Sequence, residues 1–343
     1  MSFKNGMNPD AKRFGHGTKF ISVMDILNNQ YIYYDNIRAS VELQDDDIDT
    51  YGVNYGDILF QRSSETLEDV GQANVYLDSK PAIFGGFVIR GKSKGNYNPL
   101  FFRHLLVSPT ARKRIIMKGA GAQHFNIGQD GLSKVSLDIP CMQEQKKIGK
   151  LLQCIDARIA TQNKIIEKLE SLIKGIADKL FQTARETKLL LELAPNITSG
   201  TDKNGSGTIP LYGSTGIIGK VKNASQKGNI VLVARVGTIG TVQYVKEPCG
   251  VSDNALIVEA GEMTKYIYHF LKTYKFAHIT SGTTQPLITA SSLKKIAVPT
   301  YDIERQTQIV LCLNILERKL DIEKQYLSDI AMMKQYLLHQ MFI

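Results

Sequence analysis

Apolar residues recur every three or four positions along two stretches of the chain, one near its middle and one at its end. This spacing predicts long helices that bury one face against another helix in a coiled coil. Neither seam can be buried by its own neighbouring region alone, so we expect the two helices to pack together. The first seam consists of Ile148, Leu152, Ile155, Ile159, Gln162, Ile166 and Leu169. The second seam consists of Leu313, Leu316, Leu320, Glu323, Leu327 and Ile330.

A polar residue interrupts each seam near the centre of its helix, Gln162 in the first and Glu323 in the second. If the helices pack antiparallel about a pseudo-twofold axis, Gln162 meets Glu323 while Ile148 lies near Leu337. A polar pair in a buried layer lowers stability but fixes the register and orientation of the helices. The alternative is that both polar side chains lean out to solvent.

The two helices belong to an internal repeat. Residues 145–181 match residues 306–342 without insertion or deletion, as expected of a continuous helix. We call the separation between Gln145 and Gln306 the repeat spacing. Further upstream, residues 56–60 resemble residues 228–232 at a different spacing, which indicates loops of different length. Two copies, rather than many, predict a pseudo-twofold molecule and argue against a solenoid.

Short apolar runs bounded by glycine predict strands in the regions ahead of both helices. These runs are residues 57–60, 82–84 and 87–89, and then 229–233, 242–245 and 255–258. Residues 99–106 and 263–273 are predicted as short helices. The fold class is therefore α+β, with two mixed α/β globular domains separated by two long helices that form an antiparallel coiled coil. The expected boundaries are 1–140 for the first globular domain, 141–182 for the central helix, 183–300 for the second globular domain and 301–343 for the C-terminal helix.

The first domain begins differently from the second. Residues 3–6 resemble residues 197–200, whereas residues 189–195 have no counterpart ahead of residue 3. We therefore expect the first domain to lack an N-terminal strand that the second one has.

Composition narrows the class of protein. Of the 343 residues, 43% are hydrophobic and 22% are charged, which is typical of a folded chain. No apolar run approaches the roughly 20 residues that a membrane helix needs, so we expect no membrane association. The four cysteines form no CxxC pair, which argues against a disulfide framework or a zinc site and favours a reducing, cytoplasmic location.

The net charge of +9 is unevenly distributed. Residues 79–129 and residues 203–246 carry lysines and arginines but no aspartate or glutamate. Such stretches are suited to contacts with the phosphates of a nucleic acid. The alternative is two solvated surfaces that happen to lack acids.

The sequence contains segments that resemble enzyme motifs but lack the surrounding structure that those motifs need. Residues 86–93 fit the P-loop pattern GxxxxGK[ST], but residues 87–89 are predicted as a strand and the residues after Ser93 cannot begin a helix. The acidic residues 45–49 are predicted as an exposed turn rather than a metal site. The histidines are scattered, and His104 and His269 are expected on a helix surface or in the core. We therefore expect neither catalysis nor a bound metal.

Residues 140–156 resemble the pattern P-x-x-x-E-Q-x-x-I-x-x-x-L-x-x-x-D, which begins the conserved helix of type I restriction-modification specificity subunits. Residues 169–181 are similar to the usual end of that helix, and residues 233–240 resemble a segment common in the target recognition domains of the family. The resemblance covers nearly the whole chain.

The resemblance implies a DNA-binding protein whose two globular domains each recognise one half of a bipartite, asymmetric double-stranded site. It implies that the helices form an antiparallel spacer and bind two modification (methyltransferase) subunits, with restriction subunits joining that complex. S-adenosylmethionine, ATP and Mg are then expected on the partner subunits, and this chain is expected to bind no cofactor. The alternative is a non-catalytic coiled-coil scaffold that binds nucleic acid without sequence preference.

Within the recognition domains we expect loops to contact DNA. Arginine and glutamine can pair with guanine and adenine edges, whereas lysine more often contacts phosphate. The candidates in the first domain are Gln61, Arg62, Lys92, Lys94, Arg112, Lys113, Arg114 and Gln123. Those in the second domain are Lys203, Lys220, Lys222, Lys227, Arg235, Thr238 and Gln285.

Overall fold

The computed structural model describes residues 1–44, 46–282 and 286–342. The chain divides into two compact units. Unit 1 comprises Met1–Gln162 and Tyr326–Ile343, and unit 2 comprises Asn163–Gln325. Each unit therefore combines a globular region with one part of each long helix.

The globular region of unit 1 is built from short strands and short helices. Its strands are β1 (Ser2–Asn5), β2 (Phe14–Ile21), β3 (Ala39–Val41), β4 (Ile58–Gln61), β5 (Ser63–Ser64), β6 (Ala73–Val75), β7 (Ile83–Phe84), β8 (Val88–Lys92) and β9 (Phe125–Asn126). Its helices are α1 (Val23–Asn28), α2 (Asp47–Tyr51), α3 (Pro99–Leu105), α4 (Pro109–Ile116) and α5 (Gln129–Ser133). The long helix α6 (Met142–Gln182) follows and continues into unit 2.

The globular region of unit 2 repeats this composition. Its strands are β10 (Glu186–Leu189), β11 (Asn196–Ser199), β12 (Ile209–Gly213), β13 (Gly216–Val221), β14 (Ile230–Ala234), β15 (Val242–Val245), β16 (Gly250–Val251), β17 (Ala255–Glu259) and β18 (Ala297–Thr300). Its helices are α7 (Leu190–Leu193), α8 (Thr264–Thr273) and α9 (Ala290–Lys294). The long helix α10 (Ile303–Met341) begins in unit 2 and ends in unit 1.

The two units have the same sheet topology, which confirms the predicted internal repeat. The antiparallel sheet has the order β1-β8-β4-β6 in unit 1 and β11-β17-β14-β15 in unit 2. A second sheet has the order β3-β2-β7 in unit 1 and β13-β12-β16 in unit 2. In both cases its final pair is parallel, β2 with β7 and β12 with β16. The sheets are therefore equivalent, while the loops between their strands differ in length.

Strands β4 and β14 form the centre of each core because every residue in them is buried. A strand covered on both faces is expected to be a nearly continuous apolar run, and β14 has the sequence IVLVA. In both units a helix packs against the sheet and the long helices pack against that helix. The predicted short helices are confirmed as α3 and α8.

The long helices pack antiparallel within each unit. The core of unit 1 contains Leu152 from the first half of α6 and Ile330 from the second half of α10. The core of unit 2 contains Phe181 from the second half of α6 and Leu313 from the first half of α10. In each unit the beginning of one helix therefore packs with the end of the other.

All of the predicted seam positions lie on the covered side of their helices. Each of them is buried or half-buried in the structure. Gln162 is buried, and Glu323 forms an ion pair with Lys319, one turn earlier on the same helix, at 2.5 Å. A register-setting contact between Gln162 and Glu323 stays a prediction.

The acidic segment near residue 45 differs from the predicted exposed turn. Residues 47–51 form α2, and Asp47 is an ion-pair partner of Arg13. The Asp47 carboxylate also accepts the backbone N–H of Gln44 at 2.8 Å, and these contacts hold the pKa of Asp47 below its usual value. The acids thus begin a short helix, where negative charge is favourable. Asp45 lies outside the described residues.

Units 1 and 2 differ at the edge that precedes each long helix. In unit 2, β10 pairs antiparallel with β18. The stretch of unit 1 that corresponds to β18, residues 136–139, is assigned no strand, and no partner strand is found for it among the described residues.

Two further observations concern the described part of the chain. None of its helices has both the length and the apolar character required to cross a bilayer. Nor does this part contain a group of three or more histidines, cysteines, aspartates and glutamates that could hold a metal ion.

Candidate nucleic-acid interface

Arg62 and Arg235 occupy the same position in the two units. Each directly follows the central strand of its sheet, β4 or β14. The backbone N–H of Arg62 donates to the carbonyl of Phe87 at 2.9 Å, and its own carbonyl accepts from the N–H of Ile127 at 2.9 Å. These two hydrogen bonds fix the residue between β8 and the segment that leads to α5.

The same two hydrogen bonds recur in unit 2. The backbone N–H of Arg235 donates to the carbonyl of Asn254 at 3.0 Å, and its carbonyl accepts from the N–H of Ile288 at 3.0 Å. Ile288 follows Ile127 at the repeat spacing of the long helices. The repeat has therefore placed an arginine at one equivalent backbone site in each unit.

The loop after each arginine is closed by a glycine. Gly71 donates to the carbonyl of Gln61 at 3.0 Å, and Gly240 donates to the carbonyl of Ala234 at 3.0 Å. Both glycines have a left-handed φ, 69° and 80° respectively, which favours glycine. A Cβ at Gly71 would also lie 2.6 Å from a methyl carbon of Ile115. Both arginines therefore begin loops whose two ends are held together by a backbone hydrogen bond.

The side chain of Arg62 is half-buried, and its Nη1 donates to the carbonyl of Gly86 at 3.3 Å. A guanidinium carries five N–H donors in a planar fork, so this contact leaves the capacity for a bidentate pair with a base edge. The neighbouring Phe87 is 68% exposed. A large exposed ring beside a positioned arginine offers both a hydrogen-bonding and a stacking surface.

A groove of about 410 Å³ lies at the end of β4 and is lined by Gln61, Asp69 and Gln72 among others. Hydrogen bonds from Thr66 at 2.6 Å and from Gln72 at 3.0 Å hold the pKa of Asp69 below its usual value. The groove therefore presents a carboxylate, an acceptor suited to an amino group such as that of cytosine. Gln61 itself is buried, and its Nε2 donates to the carbonyl of Ser63 at 2.8 Å.

The surroundings of Arg235 have a different chemistry. The hydroxyl of Thr238 donates to the carbonyl of Ser214 at 3.2 Å and so joins the loop after β14 to the turn between β12 and β13. Gln243 donates to the carbonyl of Gly213 at 2.9 Å and supports the same turn. Ile217 is 63% exposed on β13 directly after that turn. Sequence analysis missed Ile217 and Phe87, whose signal is a large apolar residue next to a glycine.

Several predicted cations lie elsewhere in their units. In the β4–β8 pair, Gln61 is opposite Val88 and Ile58 is opposite Gly91. Arg62 is level with Phe87, whereas Lys92 ends β8 and so lies at the other end of this pair, about 17 Å away along the strand. Lys94 follows Lys92. On β13, Lys220 is similarly distant from the turn at Gly216 and precedes Lys222.

Two arginines on α4 are engaged in holding neighbouring backbone. Arg112 donates to the carbonyls of Glu68 and Val70 at 2.7 and 2.8 Å. Arg114 donates to the carbonyl of Ser136 at 2.7 Å. Gln61, Arg112 and Arg114 therefore support neighbouring backbone, and their contact with DNA stays a prediction. The candidates with exposed side chains are Lys92, Lys94, Lys113, Gln123, Lys203, Lys220, Lys222, Lys227 and Thr238. Gln285 lies outside the described residues.

The P-loop-like segment has the geometry of a sheet strand. Strand β8 runs through the segment and ends at Lys92. The backbone N–H of Ser93 donates to the carboxylate of Asp57 at 2.8 Å, and burial raises the pKa of that carboxyl. A carboxylate at this amide is the opposite of what a phosphate site requires, because it would repel the anion.

A glutamine in the first turn holds the start of each long helix, directly after Glu144 in the first helix and after Arg305 in the second. Gln145 is buried, accepts the backbone N–H of Asn98 at 2.9 Å and donates to the carbonyl of Pro140 at 2.9 Å. Gln306 donates to the carbonyl of Tyr301 at 2.7 Å in unit 2. These contacts explain why the two helices share a glutamine in their first turn.

A histidine contacts a carboxylate inside each unit. In unit 1, Nε2 of His104 lies 3.4 Å from Oδ2 of Asp156, and Oδ1 of Asp156 lies 2.5 Å from Nζ of Lys334. In unit 2, Nδ1 of His269 lies 3.8 Å from Oε1 of Glu317. Asp156 and Glu317 are again separated by the repeat spacing, so this contact is repeated.

Burial dominates the ionisation of the two histidines. It lowers the pKa of His104 to about 4 and also lowers that of His269, against the opposing effect of the neighbouring carboxylates. Burial opposes ionisation of Asp156, but the hydrogen bond from Lys334 holds the pKa of Asp156 below its usual value. Both histidines are therefore neutral core residues at pH 7.

Comparison with known families gives a match that covers most of the chain. The family model described as the type I restriction modification DNA specificity domain matches residues 3–171 and, a second time, residues 190–332. The two matched segments follow the internal repeat.

Curated relatives carry related descriptions. A protein of Methanocaldococcus jannaschii, described as a type I restriction enzyme specificity subunit, is 29% identical over 145 residues, which are 41% of this chain and 33% of that protein. The EcoprrI type I restriction enzyme specificity subunit of Escherichia coli is 27% identical over 128 residues, 36% of this chain and 31% of that protein. The chain thus spans about a third of the length of these relatives.

Solved structures share the fold over the full length. The type I restriction-modification S subunit of M. genitalium has a TM-score of 0.63 at 18% identity and covers 100% of this chain and 93% of its own. A chain from a structure on complex assembly and conformational transition of the type I system has a TM-score of 0.56 at 13% identity, over 99% of this chain and 97% of its own. Both comparisons support the α+β fold with its long helices.

Proposed function

The chain belongs to the family of type I restriction modification DNA specificity domains, and from this membership we propose that it is the non-catalytic subunit that selects the DNA target of a type I restriction-modification complex. The observation that carries the proposal is the equivalence of Arg62 and Arg235. A protein that recognises two half-sites needs an equivalent base-contacting surface in each of its two units. Each arginine is held at the same backbone position of its own unit.

The target that we propose is bipartite and asymmetric. The loop that follows Arg62 contains a carboxylate, Asp69, and the carbonyl of the exposed Phe87 accepts the backbone N–H of Arg62. The loop around Arg235 places Thr238 and the turn that precedes Ile217 in its surroundings. Base edges are distinguished by their pattern of hydrogen-bond donors and acceptors, so two base-contacting surfaces with different side chains select different bases.

The partners that we propose are two modification subunits, one for each unit. Exposed apolar residues lie on the helical part of both units. Exposed apolar surface does not stabilise a monomer, and large patches of it mark sites of contact with other proteins. Unit 1 exposes Leu151, Met332, Met333 and Tyr336, and unit 2 exposes Ile165, Leu172, Leu311, Ile315 and Ile322. Restriction subunits would join this complex. S-adenosylmethionine, ATP and Mg would be bound by the partners, which perform the methylation and cleavage.

The proposal is tested by co-expression with the modification subunit and sequencing of the methylated sites. We expect one bipartite motif for the wild type. Arg62→Ala should relax or abolish one half of that motif, and Arg235→Ala the other half. The matched controls are Lys92→Ala and Lys220→Ala, which remove a cation of the same unit at the distant end of a strand and should leave the motif unchanged.

The alternative function is a scaffold that binds nucleic acid without sequence preference. It predicts that all four substitutions weaken DNA binding to a similar, small extent and that no preferred duplex exists. A specific complex should prefer its duplex by about 1,000-fold or more over unrelated DNA. Equal affinity for cognate and scrambled duplexes at moderate salt would reject the specificity function.

A further inference from the structure

An apolar groove of about 250 Å³ lies in unit 1 beside the end of α5. Its volume exceeds that of a cavity of roughly 150 Å³, which is large enough to bind benzene. The lining includes Met1 and Phe3 on one side and Leu132, Val135, Leu137 and Ile139 on the other. Phe3, Val135 and Leu137 are only half-buried. The groove therefore leaves apolar side chains of the unit incompletely covered.

The repeat identifies the residues of unit 2 that correspond to this lining. Phe3 pairs with Gly91 in β8, and Ile197 pairs with Val258 in the equivalent strand β17. The other lining residues have counterparts at the repeat spacing: Leu132 with Leu293, Val135 with Ile296, and Leu137 with Val298. In unit 2 the counterparts Ile197, Leu293, Ile296 and Val298 are all buried in one core cluster.

The segment 186–194 covers these residues in unit 2. Its first part is β10, which pairs with β18 so that Glu186 lies opposite Thr300 and Leu189 opposite Ala297. The backbone N–H of Leu190 then donates to the carbonyl of Ile296 at 2.8 Å. The side chains of Leu190 and Ala194 are fully buried in the same core cluster. A strand followed by one turn of leucine-rich helix thus completes the core of unit 2.

Unit 1 presents the complementary edge for such a segment. In an antiparallel pair, the backbone N–H and C=O groups of every second residue point toward the partner strand. In unit 2 the residues whose groups point toward β10 are Ile296, Val298 and Thr300. The corresponding residues of unit 1 are Val135, Leu137 and Ile139. The carbonyl of Ser136, between Val135 and Leu137, points to the opposite side and accepts a hydrogen bond from Arg114. This bond helps to fix the position of residues 135–139. Within residues 1–44, 46–282 and 286–342, unit 1 has no counterpart of segment 186–194.

We propose that this groove is the docking site for a polypeptide segment from outside these 343 residues. The segment has the chemistry of residues 185–194, Arg-Glu-Thr-Lys-Leu-Leu-Leu-Glu-Leu-Ala. It adds a strand to residues 136–139, as in other complexes formed by strand addition, and inserts apolar side chains at the positions of Leu190 and Ala194. Its C-terminal end lies next to Met1, because the pairing of β1 and β11 gives Met1 the position of Pro195.

The binding test uses the full chain and a fluorescein-labelled peptide of residues 185–194, followed by fluorescence anisotropy. We expect saturable binding of one peptide per chain. The peptide with Leu190→Asp should bind at least about tenfold more weakly, because it would bury an unpaired carboxylate. This peptide comparison does not depend on the folding of any protein variant.

The site is tested with two variants of the full chain. Ile139 is 41% exposed at the rim of the groove, so Ile139→Asp is compatible with folding and should weaken binding of the peptide at least about tenfold by placing a charge beside the inserted leucines. Met24→Asp is the matched control, since Met24 is 61% exposed on α1 of the same unit and does not line the groove. It should bind the peptide as the wild type does.

A fusion provides an independent measurement. Residues 185–194 placed directly before Met1 should raise the Tm of the chain by about 3 °C or more relative to the same fusion with Leu190→Asp, and the fused chain should no longer bind free peptide. Absence of saturable binding, equal binding of the two peptides, or undiminished binding by Ile139→Asp would overturn the proposal. Concentration-dependent dimerisation that Ile139→Asp abolishes would also overturn it, because the occupant would then be a second copy of this chain.

Discussion

His104 and Asp156 connect α3 to α6 inside unit 1, with 3.4 Å between Nε2 of the imidazole and Oδ2 of the carboxylate. Tyr31 donates to the same carboxylate oxygen at 3.1 Å, and Lys334 of α10 lies 2.5 Å from the other one. Arg103 adds a further positive charge near the histidine. The pair thus joins three elements of one unit, and the ionisation of its histidine is coupled to folding.

The stability of unit 1 should fall as the pH falls from about 6.5 to about 4. Burial lowers the pKa of His104 to about 4, whereas an unfolded chain protonates histidine near 6.5. The unfolded state therefore binds more protons in this range, and a decrease in pH favours it. At pH 5 the loss due to His104 should be about 2 kcal/mol relative to pH 7, measured by urea unfolding.

Variants separate this effect from general acid sensitivity. His104→Gln should reduce the difference in unfolding free energy between pH 7 and pH 5. Burial also lowers the pKa of His269. The double variant His104→Gln/His269→Gln should therefore show a still smaller difference in unfolding free energy between pH 7 and pH 5. His278→Gln is the control, because His278 is exposed. An unchanged difference in the double variant would show that other groups determine the pH dependence.

Truncation of the buried helix positions should destabilise the unit in which each one lies. Leu152 and Leu313 are equivalent and have 0% and 1% of their surface exposed. Replacing either with alanine should cost about 3 kcal/mol, because a cavity remains in a packed core. The control is Leu151→Ala, since Leu151 is 45% exposed. Hydrogen exchange should locate the loss in unit 1 for Leu152→Ala and in unit 2 for Leu313→Ala.

The glutamine in the first turn of α6 should matter more than its acidic neighbour. Gln145→Ala leaves the buried contacts to Asn98 and Pro140 unmade and should cost about 2 kcal/mol. Glu144→Ala removes an exposed acid from the first turn and should cost about 0.5 kcal/mol. Thermal unfolding of both variants provides the comparison. Equal shifts in Tm would contradict the assignment.

Salt dependence should distinguish a base contact from a phosphate contact in unit 2. Lys222 is exposed beyond the end of β13. If it contacts phosphate, Lys222→Ala should weaken binding to all duplexes and reduce the slope of log K against log salt by about 1. Arg235→Ala should instead cost about 1–3 kcal/mol for the cognate duplex and reduce discrimination between duplexes. Fluorescence anisotropy at several salt concentrations measures both quantities.

The helices could be predicted from the sequence because their signal is local. Leu152 and Ile155 lie on one face of a helix, and the repeat spacing that relates them to Leu313 and Leu316 gives each helix its partner. The sheets could not be predicted in the same way. Phe20 pairs in parallel with Ile83, and no local pattern connects residues so distant in the chain.

The candidate site was only partly predictable because charge along the chain does not define a surface. The acid-free stretch 79–129 includes Lys92 at one end of β8 and Arg112 on α4, whose guanidinium binds backbone carbonyls. Arg62 lies outside that stretch, and its equivalence with Arg235 depends on hydrogen bonds to Phe87 and Ile127. Such bonds have no counterpart in the sequence pattern.

The interleaving of the units has a consequence for synthesis on the ribosome. The core of unit 1 includes Ile330 and Phe342, and the hydroxyl of Thr110 donates to the carbonyl of Phe342 at 3.2 Å. Domains normally fold in the order in which they are translated. Here the part that emerges first must wait for the last turn of α10, so a nascent chain exposes an unfinished apolar surface until α10 has been synthesised.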